Sequence, residues 1–137
     1  MRFDHMELTV ARGSLTSEFC QEVDAFYAAV FGWKAFDSQV GNRMAHLLQP
    51  DPNQFILLVE SDTPMSVQGI EHLGLLLDSR AEVDQRREEC ERYGEKDDRV
   101  SVLPQDDLVY PALTVHTFYL KYLLPISFDV HSFDHAA

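Results

Sequence analysis

One order of elements, a strand followed by a helix and three further strands, occurs twice along the 137 residues and limits the possible folds more than any other feature. The first copy begins with residues 3–10, where Met6, Leu8 and Val10 alternate with polar side chains in the two-residue period of a strand. The second copy begins with residues 70–77, again a strand that carries a histidine. Because neither half could bury its own sheet and helix well, we expect the halves to pair into one larger sheet around a shared core.

Each copy contains one helix with a readable boundary. In the first, apolar side chains recur at the spacing of an amphipathic helix from Glu18 onward, and Gly32 is expected to end it. These apolar positions are Phe19, Val23, Phe26, Tyr27 and Val30. In the second, Ser79 and Glu82 form a capping box that opens a highly charged helix, which Gly94 is expected to close in the same way as Gly32.

The other apolar stretches are short and are separated by turn-forming residues. We predict strands at 33–36, 43–49, 54–60, 100–103, 112–120 and 126–131. Residues 61–69 are polar, contain Pro64 and Gly69, and are predicted to connect the two copies. The predicted fold class is α+β, with one domain made of two βαβββ modules at about 1–62 and 69–137.

The amino-acid composition indicates which kinds of molecule the chain binds. The chain has 11 Lys and Arg against 23 Asp and Glu, a formal charge of −12, which opposes binding to nucleic acid and to anionic membranes and favours a cationic ligand. Its size allows a core that folds without a metal, so a metal would serve chemistry. Cys20 and Cys90 lack a CxxC pattern, and no signal peptide or membrane span is readable, so we predict a cytoplasmic protein.

Four residues are candidates for chemistry. His5 and His72 lie at corresponding places in the opening strands of the two halves. Glu60 ends the apolar run 55–59, although an acid in that position is ordinarily a solvated strand end. Asp129 shares one face of its predicted strand with Ser127 and His131, opposite Phe128 and Val130, so this polar face can line a cavity.

Imidazole and carboxylate together suit a borderline divalent ion such as Zn, Fe, Mn, Ni or Co. Two histidines and one carboxylate leave coordination positions open for water and substrate. Such an ion could polarise a substrate carbonyl or hold two neighbouring oxygens while a carboxylate moves a proton.

Several segments resemble the vicinal oxygen chelate superfamily, which includes glyoxalases, bleomycin-resistance proteins and extradiol dioxygenases. Residues 26–33, FYAAVFGW, resemble its helix-end signature of an aromatic pair before an apolar-Gly-aromatic turn. Residues 4–10, 71–75 and 118–130 have family counterparts in the same order. The resemblance covers nearly the whole chain and implies paired βαβββ modules that curve around a cleft, commonly in a homodimer.

The resemblance also implies a ligand set. In metal-using members the ligands are a His on the first strand, a residue ending the first half, a His opening the second half and an acid on the last strand. His5, His72 and Asp129 match, with Asp129 in place of the usual glutamate. Superposing the last strands of the halves pairs Asp129 with Leu58 and Glu60 with His131, so Glu60 is the fourth ligand or there is none.

Further residues fit the family less specifically. Tyr119 precedes Asp129 by ten residues, a spacing similar to that of a tyrosine beside the metal site in the dioxygenase branch, although an aromatic strand residue can equally be core. His46 and His116 can line the cleft or hydrogen-bond in it. The usual Asp-Pro-Asp-Gly turn is replaced by residues 122–125, Tyr-Leu-Leu-Pro, so the last hairpin must turn by other means.

Two functions follow as expectations. The first is a metal-dependent lyase or isomerase, with a dioxygenase as the lesser alternative, acting on a small metabolite with adjacent oxygens. His5, His72 and Asp129 would hold the ion, and Glu60 would complete the ligand set or act as base. The second is a metal-free protein of the bleomycin-resistance type that sequesters a small molecule in an aromatic cleft.

Overall fold

A computed structural model describes residues 1–137 and divides them into two compact units, residues 1–66 and 67–137. The predicted α+β class is confirmed, since each unit contains one helix and one mixed sheet. The strands hydrogen-bond within two sheets, one in each unit, and not within the one larger sheet that we predicted from the repeat. Neither helix is long and apolar enough to cross a membrane.

The first unit has the order strand, helix and three strands. Its elements are β1 (His5–Ala11), α1 (Ser17–Phe31), β2 (Lys34–Val40), β3 (Arg43–Asp51) and β4 (Gln54–Ser61). The sheet order is β1-β4-β3-β2, in which β1 runs parallel to β4 and the other neighbours are antiparallel. Two parallel strands need a long connection between them, and here α1, β2 and β3 provide it.

Helix α1 begins and ends as its sequence predicts. The Thr16 hydroxyl accepts a hydrogen bond from the Phe19 amide, and Gly32 adopts the left-handed region at φ 71°. Glycine suits this position because a side chain would strain such a backbone. The buried face consists of Val23, Phe26, Tyr27 and Val30, four of the five apolar positions that indicated the helix.

The two faces of the first sheet differ in what covers them. Leu58 of β4 pairs with His46 of β3, and the His46 side chain contacts Asp24 of α1, so this face is the helix-covered face. Side chains alternate between faces along a strand, so Leu57 and Val59 lie on the opposite, helix-free face. There they form a buried apolar cluster with Ala45 and Leu47.

The second unit has an additional strand. Its elements are β5 (His72–Leu76), α2 (Arg80–Gly94), β6 (Ser101–Pro104), β7 (Leu108–Tyr110), β8 (Leu113–Lys121) and β9 (Ser127–His135). The sheet order is β5-β9-β8-β6, with β7 also paired to β8 and β5 parallel to β9. The sequence did not predict β7, and β9 continues four residues beyond the predicted end at His131.

Helix α2 confirms its predicted start and corrects its predicted end. The Ser79 hydroxyl accepts from the Glu82 amide, and the Glu82 carboxylate accepts from the Asp78 amide. Gly94, however, is the last residue of the helix and has no positive φ, and Glu95 caps the helix in the right-handed region. Gly94 therefore does not repeat the role of Gly32.

The turn before β9 replaces the missing family motif with a strained residue. Leu123 has φ 59°, in the left-handed region that non-glycine residues rarely adopt. Its neighbours Tyr122 and Leu124 are buried, and the Tyr122 hydroxyl donates to Asp97 at 2.7 Å. The apolar neighbours are thus anchored in the unit while Leu123 makes the turn.

Candidate functional site

The second unit brings His72 and Asp129 together on the helix-free face of its sheet. Strands β5 and β9 are parallel, with His72 opposite Ser127 and Gly74 opposite Asp129. His72 and Asp129 therefore lie on the same face, because Asp129 follows the residue opposite His72 by two positions. The His72 Nε2 atom lies 3.7 Å from Asp129 Oδ2, which is beyond hydrogen-bond distance.

The contact of His72 Nδ1 determines which nitrogen of the neutral ring carries the proton. Nδ1 lies 2.8 Å from the carbonyl oxygen of Ile70, which can only accept, so Nδ1 carries the proton. In the neutral ring the lone pair is then on Nε2, the nitrogen that lies 3.7 Å from Asp129 Oδ2. Two electron-pair donors thus lie near each other without a hydrogen bond between them.

The Asp129 carboxylate is held by neighbours on the same face. The Thr117 hydroxyl donates to Asp129 Oδ1, and His131 Nδ1 lies 3.5 Å from the same oxygen and 3.1 Å from the Asp129 carbonyl oxygen. Gly74 provides room for the His131 ring, since a Cβ there would lie 3.2 Å from His131 Cε1. Thr117 and His131 thus contact Oδ1 of Asp129, and the other carboxylate oxygen, Oδ2, is the one nearer to His72.

Tyr119 lies opposite Asp129 on β8 and meets the His72 ring edge to face, with 5.1 Å between ring centroids. Burial and the negative charge of Asp129 raise the pKa of the Tyr119 phenol above its ordinary value of 10.0. The phenol is therefore neutral at pH 7 and can donate a hydrogen bond. Tyr119 and Asp129, which are ten residues apart in sequence, are thus direct cross-strand partners.

His5 belongs to the first unit. It pairs with Phe55 on β4, which places it on the helix-free face of the first sheet together with Glu7 and Thr9. Its Nδ1 atom lies 2.8 Å from Asp4 Oδ1, and its side chain is 56% exposed. A carboxylate on Nδ1 fixes the ring and leaves Nε2 as the nitrogen that can bind a ligand.

Glu60 lies on the helix-covered face of the first sheet, opposite to the face of His5. It follows Leu58 by two residues, and its Oε1 accepts a hydrogen bond of 3.1 Å from the Leu15 amide in the segment before α1. Hydrogen bonds from the Gly13 and Leu15 amides lower the pKa of the Glu60 carboxyl. Its observed contact is thus to the backbone that leads into α1.

The same alternation corrects the predicted match between the halves. Asp129 lies on a helix-free face, whereas Leu58 and Glu60 lie on a helix-covered one, so neither occupies a position equivalent to Asp129. The reason is that both faces of β4 are apolar, with Ile56 and Leu58 on one and Leu57 and Val59 on the other. The sequence therefore did not reveal which face the helix covers.

The donor set at His72 and Asp129 suits a divalent metal ion, because it offers one imidazole lone pair and one carboxylate oxygen. No group of three His, Cys, Asp or Glu side chains is gathered as a potential metal site. An ion held here would have two ligands from the second unit and need others from elsewhere. Beside this pair of donor atoms, the neutral Tyr119 phenol can donate a hydrogen bond.

The sequence indicated that His46 and His116 can line the cleft or hydrogen-bond in it, but it did not identify their partners. Each is buried and contacts two carboxylates. His46 lies between Asp24 and Asp37, and His116 lies between Asp84 and Asp107. A signal was present, since an aspartate precedes each histidine by nine residues. Thr117 was also missed, because nothing in its own neighbourhood marks it as a partner of Asp129.

Solved structures of low sequence identity share this fold. FosX, a fosfomycin resistance protein from Listeria monocytogenes, has a TM-score of 0.64 at 16% identity, covering 95% of this chain and 89% of its own. A glyoxalase family protein from Bacillus anthracis has a TM-score of 0.65 at 16% identity, covering 98% and 96%. A glyoxylase/bleomycin resistance protein/dioxygenase domain from Frankia sp. EAN1pec has a TM-score of 0.61 at 15% identity, covering 96% and 97%.

One FosX structure is that of a mutant in complex with Mn(II) and 1S,2S-dihydroxypropylphosphonic acid. No protein-family model matches the sequence, and no curated protein does. At these identities the similarity establishes the fold. The structural neighbours are vicinal oxygen chelate proteins, as the sequence motifs indicated, and the chain has their glyoxalase-like fold.

Proposed function

We propose that the chain is a metal-dependent enzyme of the glyoxalase type, a lyase or isomerase, whose substrate is a small metabolite with two adjacent oxygens. His72 and Asp129 supply two ligands of a divalent ion, and His5 stays the predicted third. A dioxygenase reaction is the lesser alternative within the same proposal. The predicted homodimer and cytoplasmic location remain predictions.

One observation supports this proposal above the others. The Ile70 carbonyl directs the proton of His72 to Nδ1, so that the lone pair is on Nε2, the nitrogen that lies 3.7 Å from Asp129 Oδ2. This pair of donors gains little from being close to each other and gains much from a shared cation. The side chain of Asp129 is 19% exposed, so water compensates only part of that arrangement.

The chain's own residues have separable roles in this proposal. A bound divalent ion would supply Lewis-acid polarisation of a substrate oxygen. Thr117 and the Ile70 carbonyl hold the two ligands in place, and the neutral Tyr119 phenol donates a hydrogen bond to the substrate. Glu60 is left out, because its carboxylate is engaged with backbone amides on the helix-covered face.

The comparison with FosX supports a metal and a small oxygen-rich ligand without defining either for this chain. The FosX mutant complex contains Mn(II) and a ligand that carries two neighbouring hydroxyl groups. Two adjacent oxygens can replace two waters on one ion, which fits a site with few protein ligands. The reaction itself differs among proteins of this fold and must be measured.

The second candidate is a metal-free protein that sequesters a small molecule. It is favoured by the lack of a group of three metal-ligating side chains. With a formal charge of −12, the chain would then attract a cationic guest more readily than an anionic one.

Metal content after purification without chelator separates the two candidates. The enzyme proposal expects about one divalent ion per chain, which His72→Ala loses and His135→Ala retains. His135 is the matched control, because it is an exposed histidine at the end of β9. Metal-free protein that also rejects added Mn, Zn, Ni and Fe would refute the enzyme proposal and favour the binding protein.

A further inference from the structure

The helix-covered face of the first sheet contains a histidine whose two ring nitrogens both contact carboxylates. His46 Nε2 lies 2.6 Å from Asp24 Oδ1 on α1, and His46 Nδ1 lies 2.7 Å from Asp37 Oδ1 on β2. The His46 side chain is 6% exposed. We call the set Asp24, His46 and Asp37 the His46 bridge, because it connects the helix to the edge strand through the sheet.

Only the charged form of the ring satisfies both contacts. An ionised carboxylate accepts hydrogen bonds and cannot donate them, and a neutral imidazole has one N–H. Two contacts of 2.6 and 2.7 Å therefore require N–H groups on both nitrogens, as in imidazolium. Loss of one proton would set a lone pair against an anion at one end of the bridge.

We propose that the His46 bridge is a pH-sensitive latch: protonated His46 fastens α1 to β2, and deprotonation of the ring releases one carboxylate and loosens the helix from its sheet. The proposal is independent of the metal site, which lies on the helix-free face of the second sheet.

Titratable or charged side chains near His46 come from every element packed around it. They are the two aspartates of the bridge, Asp24 and Asp37, together with Arg12, Cys20, Arg43 and Glu60, from α1, β2, β3, β4 and the residue after β1. All except Asp24 also line a cavity of about 580 Å³ beside His46. Burial and the charges of Asp37 and Asp24 raise the pKa of the Cys20 thiol, so that thiol stays neutral.

The balance of these effects favours the protonated ring. Burial opposes the charge on His46, but hydrogen bonds to Asp37 and Asp24 and the negative charge of both outweigh it, so the pKa of His46 lies above its ordinary value of 6.5. A group whose pKa is raised by folding contributes full stability below its unfolded pKa. That contribution is lost as the pH rises through the folded value, so the latch weakens on the alkaline side of 6.5.

The second unit contains a similar set that also includes an arginine. His116 Nε2 lies 2.7 Å from Asp84 on α2, and Nδ1 lies 2.8 Å from Asp107. Here the Arg80 guanidinium also lies 2.9 Å from Nδ1 and forms an ion pair with Asp107. A permanent cation thus compensates Asp107 whether or not the ring is charged, so α2 serves as an internal control.

The test follows the His46 ring and the helix amides in the full chain. Histidine Cε1–H resonances are titrated by NMR from pH 5 to 9, and amide hydrogen exchange is measured over the same range and corrected for its intrinsic rate. We expect His46 to titrate above 6.5, Asp37→Asn to lower that midpoint, and α1 exchange to rise about fivefold on deprotonation while α2 changes less.

Two results would overturn the latch. One is a His46 midpoint at or below 6.5, and the other is α1 protection that stays constant through the titration of the ring. If Asp37→Asn does not fold, the wild-type titration and exchange decide the question. His116→Gln is the matched control and should leave the pH dependence of α1 exchange in place.

Discussion

The helix-free faces of the two sheets differ in the chemistry of their middle strands. In the first unit the middle strands β3 and β4 carry the buried cluster of Ala45, Leu47, Leu57 and Val59, and polar residues of this face lie on the edge strand β1. In the second, the corresponding face carries His72, Thr117, Tyr119, Asp129 and His131. The helix-covered faces instead resemble each other, since each combines apolar residues with a histidine between two aspartates. One order of elements thus supports middle strands that are apolar on this face in one unit and polar in the other.

The largest effect is expected from placing a carboxylate in the apolar cluster of the first unit. Leu57→Asp would place a carboxylate among Ala45, Leu47 and Val59 and opposite Glu7, whose carboxylate already pairs with Arg43. It should lower the free energy of unfolding by more than about 3 kcal/mol. Urea denaturation at pH 7 measures this loss, with Leu57→Met as the conservative control. A loss below about 1 kcal/mol would show that this face tolerates charge and that the contrast between the units is wrong.

The reverse exchange tests the polar face. Asp129→Leu removes a proposed ligand and should weaken Mn(II) affinity at least about 100-fold, while stability falls much less than in Leu57→Asp. Equilibrium dialysis measures the affinity, and Asp134→Asn on the same strand is the control for lost charge. Unchanged affinity in Asp129→Leu would remove Asp129 from the site.

A smaller effect is expected from the group that orients Asp129. Thr117→Val keeps the shape of the side chain but removes the hydroxyl that donates to the carboxylate. We expect Mn(II) affinity to fall about tenfold, because partners of metal ligands contribute through orientation. Thr114→Val, on the same strand, should leave the affinity unchanged. Equal losses in both variants would contradict the orienting role of Thr117.

The smallest effects are expected from replacing the glycines at the two helix ends, Gly32 and Gly94, by alanine. Gly32→Ala should cost about 1 kcal/mol, because φ is 71° and a Cβ meets no neighbour that could compensate. Gly94→Ala should stabilise the chain by about 0.5 kcal/mol, since its Cβ would make an ordinary 3.6 Å contact with Val100 Cβ. Thermal unfolding of the two variants measures both. Equal costs would mean that the helices end in the same way after all.

Much of the fold could be predicted from local patterns. Apolar spacing and Gly32 defined α1, Ser79 and Glu82 defined the start of α2, and period-two alternation placed Asp129 and His131 on one face. Each of these signals depends on residues close together in sequence. Strand β7 was missed because three residues without alternation carry no such signal.

The features that could not be predicted depend on strand register and on what covers each face. The His46 and His116 sets require Asp37 and Asp107 to lie across from their histidines, which a spacing of nine residues permits but does not specify. The face of Glu60 depends on which side of β4 the helix covers, and both sides are apolar. Leu123 at φ 59° replaces a turn motif with a conformation that leucine rarely adopts.

The central claim is that His72 and Asp129 hold a divalent ion through His72 Nε2. The most direct measurement is a 15N-resolved imidazole spectrum of the full chain at pH 7, recorded before and after addition of Zn(II). We expect the Nδ1–H tautomer of His72 before addition, and a shift of its Nε2 resonance on addition that His135 does not show. An Nε2–H tautomer with a resonance that saturating Zn(II) leaves unchanged would contradict the claim.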